Sequence, residues 1–299
     1  MRRTVGLLVA LAVSVTTLAV GGAGQWPAGV DSAAAANPSI GHVVTVVLEN
    51  TSWETARSRS GTTAMPFLAD LASRGVTLDR MYGVDHNSLT NYVALTSGHT
   101  SSAVTRANCP LYDCVYESPT DANLGDQLEA AGRTWKAYLD GMPAPCTHPA
   151  IEGGGDPYQH GYATRHNPFV YYRDVVGDPT RCAAHDVPFA QFATDRAAAA
   201  LPDWSLVVPD TCNDAHDGGA ACGLDDADRW LATNIAPLLS DPVFAADGLL
   251  VITFDESLGT DHRGCCANAV GGHVHTVVWS PRSTVPGTTS GVKIGRAHV

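Results

Sequence analysis

Basic side chains are scarce in this 299-residue chain: 18 lysines and arginines stand against 30 aspartates and glutamates, a formal charge of −12. Binding nucleic acid requires cations that displace the counterions of phosphates, so that class of partner is excluded. Long apolar runs are as scarce. Beyond residue 36 no segment approaches the roughly 20 apolar residues of a membrane span, and no amphipathic anchoring helix is evident, so no stable membrane anchor is expected. C-x-x-C spacing is missing too, and the eight cysteines therefore read as disulfides of an oxidising compartment rather than as metal ligands. Spacing does not dictate their connectivity; the two pairs we expect are Cys109 with Cys114 and Cys146 with Cys182. There is no internal repeat, which speaks against a solenoid.

What is present begins with a leader. Arg2 and Arg3, an apolar run over 5–20 and small residues over 32–36 predict a secretory signal peptide at 1–36, and hence a secreted, extracellular mature chain. At the other end IGRAHV is what a common sequencing-adapter end encodes. Residues 294–299 are therefore expected to be foreign to the gene, and the single domain at 37–293 to be cut short at its C-terminus.

Within 37–293 the pattern alternates. Residues 43–48 form an apolar run broken only by Thr45, as in a parallel strand buried on both faces. The spacing then predicts a helix in PFLADLASRG, a strand at 76–78, a helix at 89–96, a helix at 124–131 ended by Gly132, and a strand at 134–139. Further on it predicts a strand at 205–208, a helix at 225–239 and strands at 249–254 and 276–279. Alternating strands and helices imply an α/β domain with a mostly parallel sheet. Residues 143–187, rich in glycine, proline and histidine, read as an irregular insertion.

Three of the strands run into carboxylates: 43–48 into Glu49-Asn50, 205–208 through Pro209 into Asp210, and 249–254 into Asp255-Glu256. In open α/β sheets the ligand lies outside the carboxyl ends of the strands. Carboxylates gathered at one edge repel each other unless a cation sits among them. Oxygen donors such as Glu49, Asn50, Asp255 and Glu256 suit one hard divalent ion, magnesium, calcium or manganese. Ser88, ahead of the helix at 89–96, then has two readings. It is an N-cap, or a nucleophile whose proton a nearby cation loosens and which meets phosphate where the helix dipole favours an anion. Asn91, one turn on, would donate to a phosphate oxygen.

HVVTVVLENTSW, HNSLTNYVALTSG, CNDAHD and LLVITFDE, in this order, resemble the phosphoesterase family of bacterial acid phosphatases and phosphatidylcholine-type phospholipases C, within the alkaline phosphatase superfamily. The small secreted phosphatase branch is most similar in length. The resemblance covers roughly 41–281 and implies an alkaline-phosphatase-like three-layer sandwich with a mostly parallel central sheet. It also implies roles. SLTNYVALTSG matches in spacing the string T-F-P-N-H-Y-T-L-V-T-G of related nucleotide pyrophosphatases, which puts Ser88 in the nucleophile's place and Asn91 in that of the phosphate-binding asparagine. Glu49-Asn50 and Asp255-Glu256 match the family's Glu-Asn and metal-binding Asp-Glu pairs. His166, in YATRHNPF, also matches a family string.

Departures carry equal weight. The superfamily's two-zinc members place an aspartate four residues before a histidine, whereas four places before His216 stands Cys212. One metal is therefore expected, zinc being the fourth candidate for its identity, with His216 or another imidazole supplying the second ion's charge. The C/S-x-P-x-R string of sulfatases is absent.

Each histidine has a bland reading beside a functional one. His216, flanked by Asp214 and Asp217, is expected to be catalytic rather than loop surface. His166 and His273 are expected at the phosphate, the former against a loop-anchoring role. His86 divides evenly between substrate contact and turn packing, while His42 and His275 read as structural. Asp228 reads as a capping or helix-surface acid, and Trp135, Trp204 and Trp279 as core.

The sequence thus predicts a phosphoester hydrolase forming a phosphoserine on Ser88. Its substrate would be a phosphorylated small molecule or a phospholipid headgroup. A phospholipase C-type phosphodiesterase and a non-catalytic phosphate-binding module are the rivals, and the oligomeric state is left open.

Overall fold

In the computed structural model the described residues are 39–58, 65–99, 102, 105–109, 113–117, 122–148, 161–216, 222–265, 269–283, 286–289 and 293–294. The expected signal peptide and most of 294–299 lie outside them.

The element that organises the rest is β1, His42–Leu48. Its β-branched run favours an extended chain, and alternate side chains feed two cores. Val44, Val46 and Leu48 join one apolar cluster, and Val47 another. Such a strand needs neighbours on both edges. It pairs in parallel with β5, Trp204–Val208, and with β6, Gly248–Phe254. From β5 the sheet continues in parallel through β3, Trp135–Leu139, to β4, Asp186–Pro188. From β6 it continues through β7, His273–Trp279, to β2, Val76–Tyr82. The short β8, Gly287–Thr289, and β9, Lys293–Ile294, both pair with β2 in parallel. The order is β4-β3-β5-β1-β6-β7-β2-β8, and β7 alone runs against the others. The carboxyl ends of β1, β2, β5 and β6 therefore share one edge with the start of β7.

Helices cover both faces. On one side α2, Pro66–Arg74, and α8, Leu224–Asn234, place Leu68, Leu71, Trp230 and Leu231 against Val44, Leu250 and Ile252. Each fully buried side chain of this kind contributes about 1.5–3 kcal/mol. The α1 segment, Trp53–Ser58, and α9, Pro242–Asp247, belong to this side as well. On the other side α3, Ser88–Ser97, sets Tyr92 beside Val47, Trp135 and Leu206. The same core takes in α5, Arg173–Val176, and α6, Pro179–His185, through Val175 and Cys182. Two helices complete the layers: α4, Leu124–Ala130, which opens on a capping box at Asn123, and α7, Ala190–Ala197.

The predicted elements are present with shifted ends. The strand expected at 276–279 begins at His273 and takes in both histidines, and the helix expected at 225–239 stops at Asn234 before a 3-10 turn. The 143–187 insertion, described outside 149–160, holds short helical turns and the edge strand β4. Both expected disulfides form, and a third joins Cys212 to Cys222. Asp228 is a capping acid: its carboxylate accepts the Phe67 and Leu68 N–H groups, both at 2.9 Å, at the start of α2.

Candidate active site

Ser88 is not an N-cap. Asn87 occupies that position without a capping bond, and Ser88 is the first helical residue. Its buried hydroxyl donates instead to Glu49 Oε2 at 2.9 Å, bridging the start of α3 and the end of β1. The turn that delivers it is held on several sides. Asn87 has φ 139°, a conformation side chains other than glycine's rarely adopt, and its N–H is fixed by the Glu256 carboxylate at 3.0 Å. Leu89 N–H donates to Asn108 Oδ1 at 3.1 Å. Beneath the turn, Gly83 and Gly271 exchange N–H to carbonyl bonds with the facing segment, Gly271 N to Gly83 O at 3.1 Å and Gly83 N to Gly272 O at 3.0 Å.

Around Glu49 the polar groups outnumber their hydrogen bonds. Fully buried, it lies between Ser88 and His166, whose Nε2 is 3.4 Å from Glu49 Oε1 while Nδ1 is 3.3 Å from Asp214 Oδ2. One ligand atom each from Glu49, His166 and Asp214 lies within 4.8 Å of the others. Glu49 Oε1, both ring nitrogens of His166 and Asp255 Oδ2 are buried with no hydrogen-bond partner among the described residues. Burial pushes the Glu49 carboxyl well above the usual range, and the charges of Asp255, Asp214 and Glu256 add to it. Asp255 is raised by burial and by Glu256. Burial, with Arg165 and His216 nearby, holds His166 well below the usual imidazole value. Neutral imidazole and crowded carboxylates lacking partners are what a divalent cation resolves, so the residues present fit one.

Other expected residues serve this centre differently. Asn91 was expected at the phosphate, but its amide is consumed by the turn before Ser88. Oδ1 accepts Val84 N–H at 2.8 Å and Asp85 N–H at 3.2 Å, and Nδ2 donates to the Asp85 and Asn87 carbonyls. Glu256 faces His86 and Asn87 rather than Glu49: His86 Nδ1 is 2.6 Å from its Oε2. The other His86 nitrogen faces the Asp261 carbonyl at 2.9 Å. The Asp261 carbonyl only accepts, so that nitrogen donates; the Glu256 bond raises the pKa of His86. These two contacts tie His86 to the turn before Ser88. Asn50 contributes through its backbone, its N–H donating to Asp255 Oδ1 at 3.2 Å.

His273 stacks between Trp53 and Tyr82, with Nε2 2.7 Å from the Asp79 carbonyl, so its ring is committed to packing. His216 lies beside His166, ring centroids 5.8 Å apart, with Nε2 3.2 Å from the Arg165 guanidinium. A guanidinium only donates, so that nitrogen accepts. Asp210 turns back to cap its own loop, taking the Cys212 and Asn213 N–H groups. The β5-end carboxylate that faces the site is Asp214. Sequence reasoning passed over it as a flank of His216, and over Tyr92, whose ring stacks on His166 at 5.3 Å. Helical spacing offered one signal: Tyr92 lies one turn beyond Ser88.

The family model described as "Phosphoesterase family" matches residues 59–286. A phosphatidylinositol-3-phosphatase of Mycobacterium tuberculosis is 31% identical over 272 residues, 91% of this chain and 81% of its own length. An acid phosphatase of Aspergillus fumigatus is 32% identical over 187 residues; these are 62% of this chain but 39% of the fungal protein. Among solved structures, an alkaline phosphatase superfamily protein of Vibrio parahaemolyticus aligns with a TM-score of 0.55 at 12% identity, covering 86% of this chain and 64% of that one. This last likeness concerns the fold, which is the expected alkaline-phosphatase-like α/β sandwich.

Proposed function

Because this chain belongs to the phosphoesterase family, we propose that it is a metal-dependent phosphomonoesterase whose nucleophile is Ser88. The observation that carries this reading is the 2.9 Å bond from Ser88 Oγ to Glu49 Oε2 inside a buried group where Glu49 Oε1, both His166 ring nitrogens and Asp255 Oδ2 have no hydrogen-bond partner among the described residues. The relatives named as an acid phosphatase and a phosphatidylinositol-3-phosphatase point to substrates with a terminal phosphate, either small phosphorylated molecules or a lipid headgroup. Three disulfides support an extracellular site of action.

The donors that would be available to one divalent cation are Glu49, His166 and Asp214, with Asp255 beside Glu49; of the other expected ligands, Glu256 is engaged by His86 and Asn87, and Asn50 acts through its backbone N–H. Such an ion would supply the positive charge that favours ionised Ser88 and offsets the negative charge of the phosphate. The protein's own groups do the rest. Ser88 Oγ attacks phosphorus in line while its proton passes to Glu49 Oε2. The bond from phosphorus to the alcohol oxygen breaks, and the departing oxygen takes a proton from water. Water then attacks the phosphoserine from the vacated side; Ser88 Oγ recovers its proton and phosphate leaves. Asn91, Glu256 and His86 hold the turn, so that Ser88 keeps its aim during both displacements.

The test is release of nitrophenol from p-nitrophenyl phosphate and from p-nitrophenylphosphorylcholine, with and without chelator, beside Ser88→Ala. Monoester turnover that the chelator suppresses and that falls at least ~10³-fold in the variant is expected, since removal of a catalytic-triad nucleophile costs up to about 10⁶-fold. Turnover of the diester alone would replace the reading with a phospholipase C-type one. A folded chain that turns over neither would be a binding module.

A further inference from the structure

Arg165 and His166 ride on a single 3-10 turn, Thr164–His166, with no long helix or strand to fix them. The next residue, Asn167, is fully buried, and its amide points away from the site. Nδ2 donates to Tyr162 Oη and to Asp186 Oδ2, both at 2.9 Å, and Oδ1 accepts the Phe169 N–H at 3.2 Å. Asp186 is also fully buried. Among the described residues Asn167 is the one donor to its carboxyl, and its Oδ1 has no hydrogen bond. A carboxyl in this condition is costly, and an apolar side chain of like volume would pack without that cost. What the carboxyl provides is the bond to Asn167.

The backbone of Asp186 is fixed independently. It sits in register with Ala137 of β3, and its carbonyl accepts the Cys146 N–H at 3.0 Å beside the Cys146–Cys182 bridge. We infer that Asp186 is a positioning residue: from the edge strand β4 it holds, through Asn167, the turn that presents Arg165 and His166 to Ser88 and Glu49. The inference rests on the reading of that centre proposed above. It links the outermost strand of the sheet to the centre through two side chains.

Three variants of the full chain test it. Asp186→Asn keeps an acceptor for Asn167, Asp186→Leu fills the space without one, and Asn167→Ala removes the other partner. The readouts are kcat and KM on p-nitrophenyl phosphate, Mn2+ affinity from the electron paramagnetic resonance signal of free ion, and the thermal midpoint. Asp186→Leu and Asn167→Ala are expected to lower kcat and Mn2+ affinity about 10- to 100-fold, the scale on which groups orienting a metal ligand act. Asp186→Asn should stay within about twofold of wild type, since it restores the bond that the others lose.

A purely structural role would lower the midpoint and leave kcat and Mn2+ affinity of the folded protein alone; that result overturns the inference. So does an Asp186→Asn as impaired as Asp186→Leu. Should Asp186→Leu not fold, Asn167→Ala decides by the same readouts. If the wild type cleaves no phosphoester yet Mn2+ affinity falls in Asn167→Ala, the proposed function is lost and the positioning role stands.

Discussion

Replacing Gly271 by alanine should damage catalysis through a residue that touches no substrate. A Cβ built there lies 2.5 Å from the Asp85 carbonyl oxygen, 2.7 Å from Gly83 C and 2.9 Å from Asp85 N, all backbone atoms that cannot rotate away. The φ of Gly271 is not in the left-handed region, so alanine adopts the backbone without strain and space alone opposes it. Ordinary contact begins near 3.4 Å, so residues 83–85 must retreat by about 0.9 Å, and they lead directly into Ser88. Overpacking of this kind costs about 1–3 kcal/mol, which lowers the thermal midpoint by about 2–12 °C for a domain of this size. A displacement near 1 Å at a reacting group costs about 100-fold in rate. Gly259→Ala is the control, since nothing lies within 4 Å of a Cβ there. Calorimetry and p-nitrophenyl phosphate turnover measure both effects. A Gly271→Ala protein with the midpoint and kcat of wild type would show that the 83–88 turn does not depend on this close approach.

Removing the Asp228 carboxylate by Asp228→Ala leaves two backbone N–H groups at the start of α2 without their acceptor. The expected loss is about 1–2 kcal/mol in urea unfolding, with kcat of the folded protein unchanged; an unaltered unfolding midpoint would refute the cap. The Asp186 carboxyl, pushed up to about 7 by burial, sets a pH dependence of opposite sign to that of a salt-bridged acid. Between about pH 4 and 7 the folded state binds more protons at this group than the unfolded state, so stability from this source falls as pH rises through that window. The span is about 3 pKa units, or about 4 kcal/mol at most. Asp186→Asn should abolish this contribution, and unfolding curves at pH 5 and pH 8 that differ as much in the variant as in wild type would contradict it.

Much of the site was legible because of how a parallel sheet is written. A strand buried on both faces is an apolar run, so its first polar residue marks the carboxyl edge, and Glu49 and Asp255 were found that way. Asp214 was not, because five residues separate it from β5 and Asp210 at the strand end was the nearer candidate. Spacing also placed Asn91 one turn beyond Ser88. It did not say which way the amide points, a matter decided by the Val84 and Asp85 N–H groups that need an acceptor. His273 had the position of a site histidine and none of its surroundings, since Trp53 and Tyr82 close on both its faces. Such contacts between distant segments have no period in the sequence.

The reversed direction of β7 has a consequence for how this scaffold can diversify. The connection from Phe254 to His273 leaves the sheet and returns to it at the same rim, next to the serine, with no need to cross a face. Its outer part can lengthen or shorten while the strands on either side keep their register. Changes of length there would therefore reach the rim that carries Ser88 before they reached the packed strands, as long as Gly271 and Gly272, which seat the base of the connection against Gly83, were kept.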